Sequence, residues 1–225
     1  MNLKVIAYAH NGHTDKFGIP RQSREESPIV TRIVFEPEYS MREALRGIEG
    51  YSHLWLIWGF NTQEWSPTVR PPRLGGNTRM GVFATRSPYR PNPIGLSSVR
   101  LLGVENGELM VSGADVLDGT PIYDIKPYLS FSDSHPEAKN GFAEQTKDYH
   151  LEVDWSVISR EWTENGPISD REWLEHTTYI LSQDPRPAYQ DNPEREYKLD
   201  YAGYTVTFVV KAHKVVVRKI EKIVK

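Results

Sequence analysis

The chain has 225 residues, a formal net charge of −3 and no cysteine. That length forms one good-sized domain, or a main domain with a small appendage, and buries a core without staples. The composition excludes disulfides and thiolate metal sites, the N-terminus MNLKVIAYAHNGH lacks a signal-peptide pattern, and no apolar run approaches the roughly 20 residues of a membrane span. A soluble, cytoplasmic protein with no membrane partner is expected.

In chain order, Lys4–Ala9 predicts a short strand and His10–Arg24 a polar loop with Gly12, Gly18 and Pro20. Within that loop, Gln22 suits an adenine edge and Arg21 a carboxylate; an ordinary loop is the alternative. Ile29–Phe35 predicts a second strand, rich in β-branched residues. Ser40–Arg46 predicts a short helix, with Ser40 as N-cap, Glu43 three residues on and Gly47 as the stop. His53–Phe60 is a dense apolar run suited to a buried strand. Gln63–Met80 holds three prolines and two glycines and predicts a long loop. Gly81–Thr85 and Gly95–Leu102 predict strands flanking a proline-studded turn. Glu108–Leu117 and Pro121–Ile125 predict a hairpin around Asp118–Gly119. Many short strands with turn signals point to a closed or nearly closed barrel.

Composition shifts at Ser132–Lys147, which is polar with Pro136 and Gly141. The expected organisation is a β-barrel domain over 1–145 and a small α+β domain over 146–225, mainly β as a whole. The second domain should hold a strand at Glu152–Ile158, a helix over about Asp170–Gln183 and closing strands at Tyr204–Val210 and Lys214–Ile220. In the helix Ser169 is the expected cap, Glu172 completes a capping box, and Trp173, Thr177, Ile180 and Leu181 form the apolar face. Pro185 stops it.

Charge is unevenly placed. Arg70, Arg73, Arg79, Arg86, Arg90 and Arg100 fall in one stretch that has no lysine and no acid. Inside it lies Gly81–Ser97, GVFATRSPYRPNPIGLS. Prolines 88, 91 and 93 fix the backbone before any ligand arrives. Arg86 and Arg90 ride on that frame, and arginine binds phosphate or carboxylate through parallel donors. An anion site is one reading, and a stiff surface turn with solvated arginines is the other. Asp118-Gly119-Thr120-Pro121 clusters a carboxylate, a hydroxyl and exposed backbone, fit for a ribose diol or an ammonium, or is a plain turn. Asp184-Pro185-Arg186-Pro187-Ala188-Tyr189 offers an arginine for phosphate and a tyrosine for base stacking, or is a helix stop. There is no G-x-G-x-x-G after a strand, no P-loop lysine and no Gly-x-Ser-x-Gly. His10 and His13 lack further ligands at metal spacing, so no metal is expected.

The stretch GVFATRSPYRPNPIGLS resembles the signature of the TsaA-like family, and YSHLWLI (51–57), RPPRLGGNTRMGVFATRS (70–87), DVLDGTPIYDIKPYL (115–129) and QDPRPAY (183–189) extend the resemblance over most of the chain. Characterised bacterial members of that family are tRNA methyltransferases that use S-adenosylmethionine to methylate N6 of the threonylcarbamoyladenosine beside the anticodon. The resemblance implies a non-Rossmann β-barrel, a homodimer and a methyl donor held between barrel loops. It implies donor contacts at Gln22, Phe60, Asn61, Arg86, Leu96, Asp118, Gly119, Thr120 and Pro121. Arg86, Asn61 and Tyr189 are the implied catalytic residues. Arg90, Asp184, Arg186 and Tyr189 are the implied tRNA contacts. Two departures stand out: Ala9-His10-Asn11 where relatives often carry Arg-Ser-Pro, and Asn61 where some carry His. A non-catalytic binder of tRNA or donor, and a methyltransferase for another RNA or a small molecule, are the alternative functions.

Overall fold

The computed structural model describes residues 2–62, 64–74, 77–158, 167, 170–186 and 192–223, without the side chains of Arg73 and Thr146. The chain divides into two compact units, Met1–Asn11 with Gln22–Lys147, and Gly12–Arg21 with Asp148–Lys225.

The first unit carries β1 (Ala7–His10), β2 (Val30–Phe35), β3 (His53–Gly59), the short β4 (Thr68–Val69) and β5 (Met80–Gly81), β6 (Ile94–Glu105), β7 (Glu108–Ser112) and β8 (Thr120–Pro127). Six of these close a barrel in the order β1-β2-β7-β6-β3-β8, every neighbour antiparallel. The expected β-barrel is present. Alternation sets its interior: Leu54, Leu56 and Trp58 of β3 point in with Val99, Leu109, Val111 and Ile122. Ala7, Ala9 and Gly95 thin the wall, which leaves room for one indole in so small a barrel.

Several local expectations are corrected. Ser40 caps nothing. The segment is a 3-10 turn, Arg42–Leu45, preceded by Met41 without a side-chain cap bond. It buries no residue, so nothing offsets the cost of nucleating a longer helix. Gly81–Thr85 is not a strand beyond Gly81, because Val82–Ala84 tightens into a 3-10 turn closed by the Thr85 hydroxyl on the Val82 carbonyl. Within Gln63–Met80, Thr68–Val69 pairs with Met80–Gly81. Asp118–Gly119 does not join a hairpin. β7 ends at Ser112, and β8 pairs with β1 and β3 instead. Its turn feeds β8 alongside β1, with the Gly119 N–H on the Ala9 carbonyl at 2.8 Å. The tight hairpin is one strand earlier, where Asn106 (φ 53°) and Gly107 (φ 84°) join β6 to β7. A one-turn helix, α1 (Ser130–Asp133), follows the barrel.

The second unit has β9 (Glu152–Asp154), α2 (Arg171–Ser182), β10 (Tyr197–Tyr201), β11 (Tyr204–Lys211) and β12 (Lys214–Lys222). The sheet order is β10-β11-β12-β9, with β9 parallel to β12. The strand expected over Glu152–Ile158 stops at Asp154, whose carboxylate takes the Ser156 N–H at 2.9 Å and turns the chain. Asp170 caps α2 by accepting from the Glu172 and Trp173 N–H groups. The expected cap, Ser169, lies outside the described residues. Trp173, Thr177, Ile180 and Leu181 are the buried face, as the spacing predicts.

Gly12–Arg21 packs with this unit. His13 is 1% exposed, with its ring 5.9 Å from Tyr201, and His176 Nδ1 lies 2.8 Å from the Tyr201 hydroxyl. Burial, aided by His176, lowers the His13 pKa from 6.5 to about 4. Between those values the unfolded chain binds a proton that the folded chain refuses, so stability falls as pH falls through that window, by up to about 3 kcal/mol. Urea unfolding of His13→Gln should show a flatter decline from pH 6.5 to 4 than the parent chain. An identical slope would rule out His13 as the source.

Candidate active site

The polar chemistry of the barrel starts from Trp58. A Cβ at Gly95, its register partner, would lie 2.2 Å from the indole ring, so only glycine admits the ring. The indole N–H needs a partner inside the barrel and donates to Ser97 Oγ at 2.8 Å. The Ser97 hydroxyl donates in turn to Asp115 Oδ1 through a short hydrogen bond. On its other side Trp58 packs tilted against Phe60, ring centres 4.3 Å apart.

Asp115 is partly exposed and flanked by the buried Ala114 and Val116. Burial raises its pKa, against the Ser97 hydroxyl, the positive charge of Arg86 and the Ser23 N–H, which favour the carboxylate. The segment from Gln22 to Arg24 meets this one, for the Arg24 N–H reaches the Gly113 carbonyl at 3.3 Å. Gln22 is therefore delivered to Arg86, whose Nη1 donates to Gln22 Oε1 at 2.6 Å.

Of the expected donor contacts, the structure joins Gln22 to Arg86 directly and places Phe60 on Trp58. Asn61 is exposed at the end of β3. Leu96 faces off the outer wall of the barrel opposite Ile57, 54% exposed, rather than into its interior. Asp118 and Gly119 are exposed, Thr120 is buried and Pro121 is partly covered. Asp118 Oδ1 accepts the Asn11 N–H at 3.1 Å and lies 3.2 Å from His10 Nδ1. Among the described residues no group of three or more His, Cys, Asp or Glu stands placed to hold a metal.

The two arginines of the proline-rich turn differ. Arg86 is exposed. Arg90 donates from Nη1 to the Val82 and Thr85 carbonyls at 3.1 and 2.7 Å and covers the Phe83 ring, so it staples the turn together. In the second unit, Arg186 closes a two-point bridge on Asp184, with Nε to Oδ1 at 2.7 Å and Nη2 to Oδ2 at 2.8 Å. Tyr149 donates to the same carboxylate at 3.0 Å. Burial works to raise the Asp184 pKa, yet the Arg186 and Tyr149 bonds hold it below the usual value. Arg21 Nη2 donates to the Arg186 carbonyl at 2.9 Å, and the Asp184 charge acts on its guanidinium. Tyr189 lies outside the described residues. Sequence reasoning missed Asp115 and Ser97. The available signal was an acid set between apolar residues that a barrel buries.

Comparison with known proteins bears on both units. Residues 8–134 match the family model of the tRNA-methyltransferase O N-terminal domain, and residues 148–223 match that of the TrmO C-terminal domain. The chain belongs to the tRNA-methyltransferase O family. A tRNA (adenine(37)-N6)-methyltransferase of Escherichia coli K12 is 40% identical over 202 residues, 85% of each chain. A Pseudomonas aeruginosa relative named for S-adenosylmethionine-dependent methyl transfer is 44% identical over 201 residues, 87% of each chain. A crystal structure of TrmO from Pseudomonas aeruginosa superposes with a TM-score of 0.80 at 32% identity, covering 98% of each chain.

Because the indole fills the space that a Cβ would take, Gly95→Ala should cost about 1–3 kcal/mol through overpacking and shift the tryptophan emission. Gly81→Ala, with open space at its Cβ, is the matched control and should be nearly neutral in thermal unfolding. Equal stability of the two variants would contradict the tight fit of Trp58.

Proposed function

We propose that the protein is an S-adenosylmethionine-dependent tRNA methyltransferase acting on N6 of the threonylcarbamoyladenosine next to the anticodon. Membership of the family across both units supports the reading, as does the hydrogen bond that joins Gln22 to Arg86 of the proline-stiffened turn.

The residues suit such a donor chemically. Arg86 presents an exposed planar cation to the methionyl carboxylate. Phe60 and the exposed Leu96 offer apolar surface to the adenine and the side-chain methylenes. Asp118, on an exposed turn with Gly119 at φ 76°, offers acceptors to the ribose hydroxyls or the ammonium, and Thr120 and Pro121 shape that turn. When bound, the donor supplies a methyl carbon already activated by its sulfonium. N6 forms its bond to that carbon as the carbon–sulfur bond breaks, the electron pair goes to sulfur, and the N6 proton leaves to water. The protein's work is alignment and exclusion of competing water. Asn61, exposed at the end of β3, is assigned to orient the incoming base. Arg90, Asp184 and Arg186 are assigned to the tRNA side as formers of the loops that meet it, and Tyr189 as the stacking residue. The active species is a homodimer in the cytoplasm.

The test combines purified protein, methyl-labelled donor and tRNA bearing threonylcarbamoyladenosine. Label should appear in the N6-methylated nucleoside. Arg86→Ala should lose roughly 100-fold in kcat/KM, the loss expected when a charged contact to the donor goes, with little change in melting temperature. Donor binding without label transfer would recast the protein as a binder. Label transfer without tRNA would point to a small-molecule acceptor.

A further inference from the structure

We propose that Asp115 is the positioning residue of the donor site, one carboxylate that ties together the separate chain segments carrying its walls. This rests on the functional reading above and adds a residue to it.

The walls come from distant parts of the sequence: Gln22, Phe60, Arg86, Leu96 and the turn at Asp118. Each wall is next to, or is, a group that engages Asp115 or follows it closely in the chain. The Ser23 N–H draws on the carboxylate, and Ser23 adjoins Gln22. Ser97 donates its hydroxyl to Oδ1, and Ser97 adjoins Leu96. The Ser97 oxygen also receives the Trp58 indole N–H, and Trp58 supports the Phe60 ring at 4.3 Å. Arg86, already bonded to Gln22, lies close enough for its charge to favour the ionised carboxylate. Three residues beyond Asp115 comes Asp118 itself.

The physical logic is directional. An indole N–H inside a barrel accepts no substitute for a hydrogen-bond acceptor, and a serine hydroxyl turns according to its own acceptor. An ionised Asp115 fixes the Ser97 proton toward itself and leaves the oxygen lone pairs for Trp58. An asparagine in its place offers an amide that can donate as well as accept. The Ser97 rotor then loses its unique setting, the indole loses its anchor, and Arg86 loses a counter-charge. No part of Asp115 has to touch the donor for these effects to reach it.

The experiment is calorimetric titration of the full chain with S-adenosylmethionine, paired with steady-state kinetics. Asp115→Asn and Ser97→Ala should each weaken donor affinity by about 10-fold, the scale of one lost charge-assisted hydrogen bond. The double variant should be no weaker than Asp115→Asn alone, because the two residues act as a unit. KM for the donor should rise while kcat at saturating donor stays within about 3-fold and KM for tRNA is unchanged, a split that general loosening of the fold would not produce. Should Asp115→Asn fail to fold, Trp58→Phe keeps one six-membered aromatic ring, removes the N–H together with the five-membered ring, and should weaken donor binding by a few-fold. Variants that bind donor as the parent does would overturn the inference. A parent chain that binds no donor would instead overturn the functional reading.

Discussion

The indole of Trp58 inside a closed six-stranded barrel is the constraint from which the rest of the first unit follows. A barrel this small is filled by its own side chains, so a tryptophan fits only if the opposite wall recedes. Gly95 supplies that recess, and it lies within the proline-rich signature stretch. The ring also imports a polar N–H into an apolar interior, where an unpaired donor costs about 1–3 kcal/mol. Ser97 answers the N–H, and Asp115 answers Ser97. Packing and polarity are thus one problem here. The residue that fills the core dictates where a carboxylate must sit, and that carboxylate lies where the Gln22–Arg24 segment crosses.

The arginines show the same economy. Six arginines in an acid-free stretch suggest a cationic face, but a guanidinium has several donors and the fold uses them. Arg90 adds its donors to the Val82 and Thr85 carbonyls of a 3-10 turn. Arg186 closes on Asp184, with side-chain exposures of 11% and 16%, and Arg21 braces the same loop from below. An arginine held in this way shapes a backbone rather than roaming for phosphate. Arg86 differs because its hydrogen bond goes to the neutral amide of Gln22 and it stays exposed, near Asp115 but not closed on a carboxylate in a two-point bridge.

Where residue chemistry acts locally, the sequence was readable. The presence of a strand at β3, the apolar stripe of α2 and the stop before Pro185 follow from composition, period and backbone restriction, whereas β3 alternates between buried and partly covered residues where a fully buried strand is expected. What failed were inferences that needed a partner. Asp118–Gly119 has the composition of a hairpin turn, yet whether two strands pair depends on barrel closure, which placed β8 between β1 and β3. The tight hairpin falls at Asn106–Gly107, whose two positive φ angles suit the centre of such a turn. Ser40 matches a capping box, but a cap needs a helix with a face to bury, and that segment sets only the partly buried Leu45 against the core. Asp115 escaped because its meaning lies in contacts with residues 18 and 29 positions or more away, to Ser97 and Arg86. No spacing rule reaches that far.

The residues His10 and Asn11 at the end of the first strand act on the same segment as Asp115. In this chain the Asn11 N–H is bonded to Asp118, and His10 stands beside the same carboxylate. Asn11 goes further, its side-chain amide donating to the Val116 carbonyl and to Thr31 Oγ1. The end of the first strand therefore fastens the 116–118 segment at both its carboxylate and its backbone, and it does so on the turn that the proposed site assigns to the donor's ribose or ammonium.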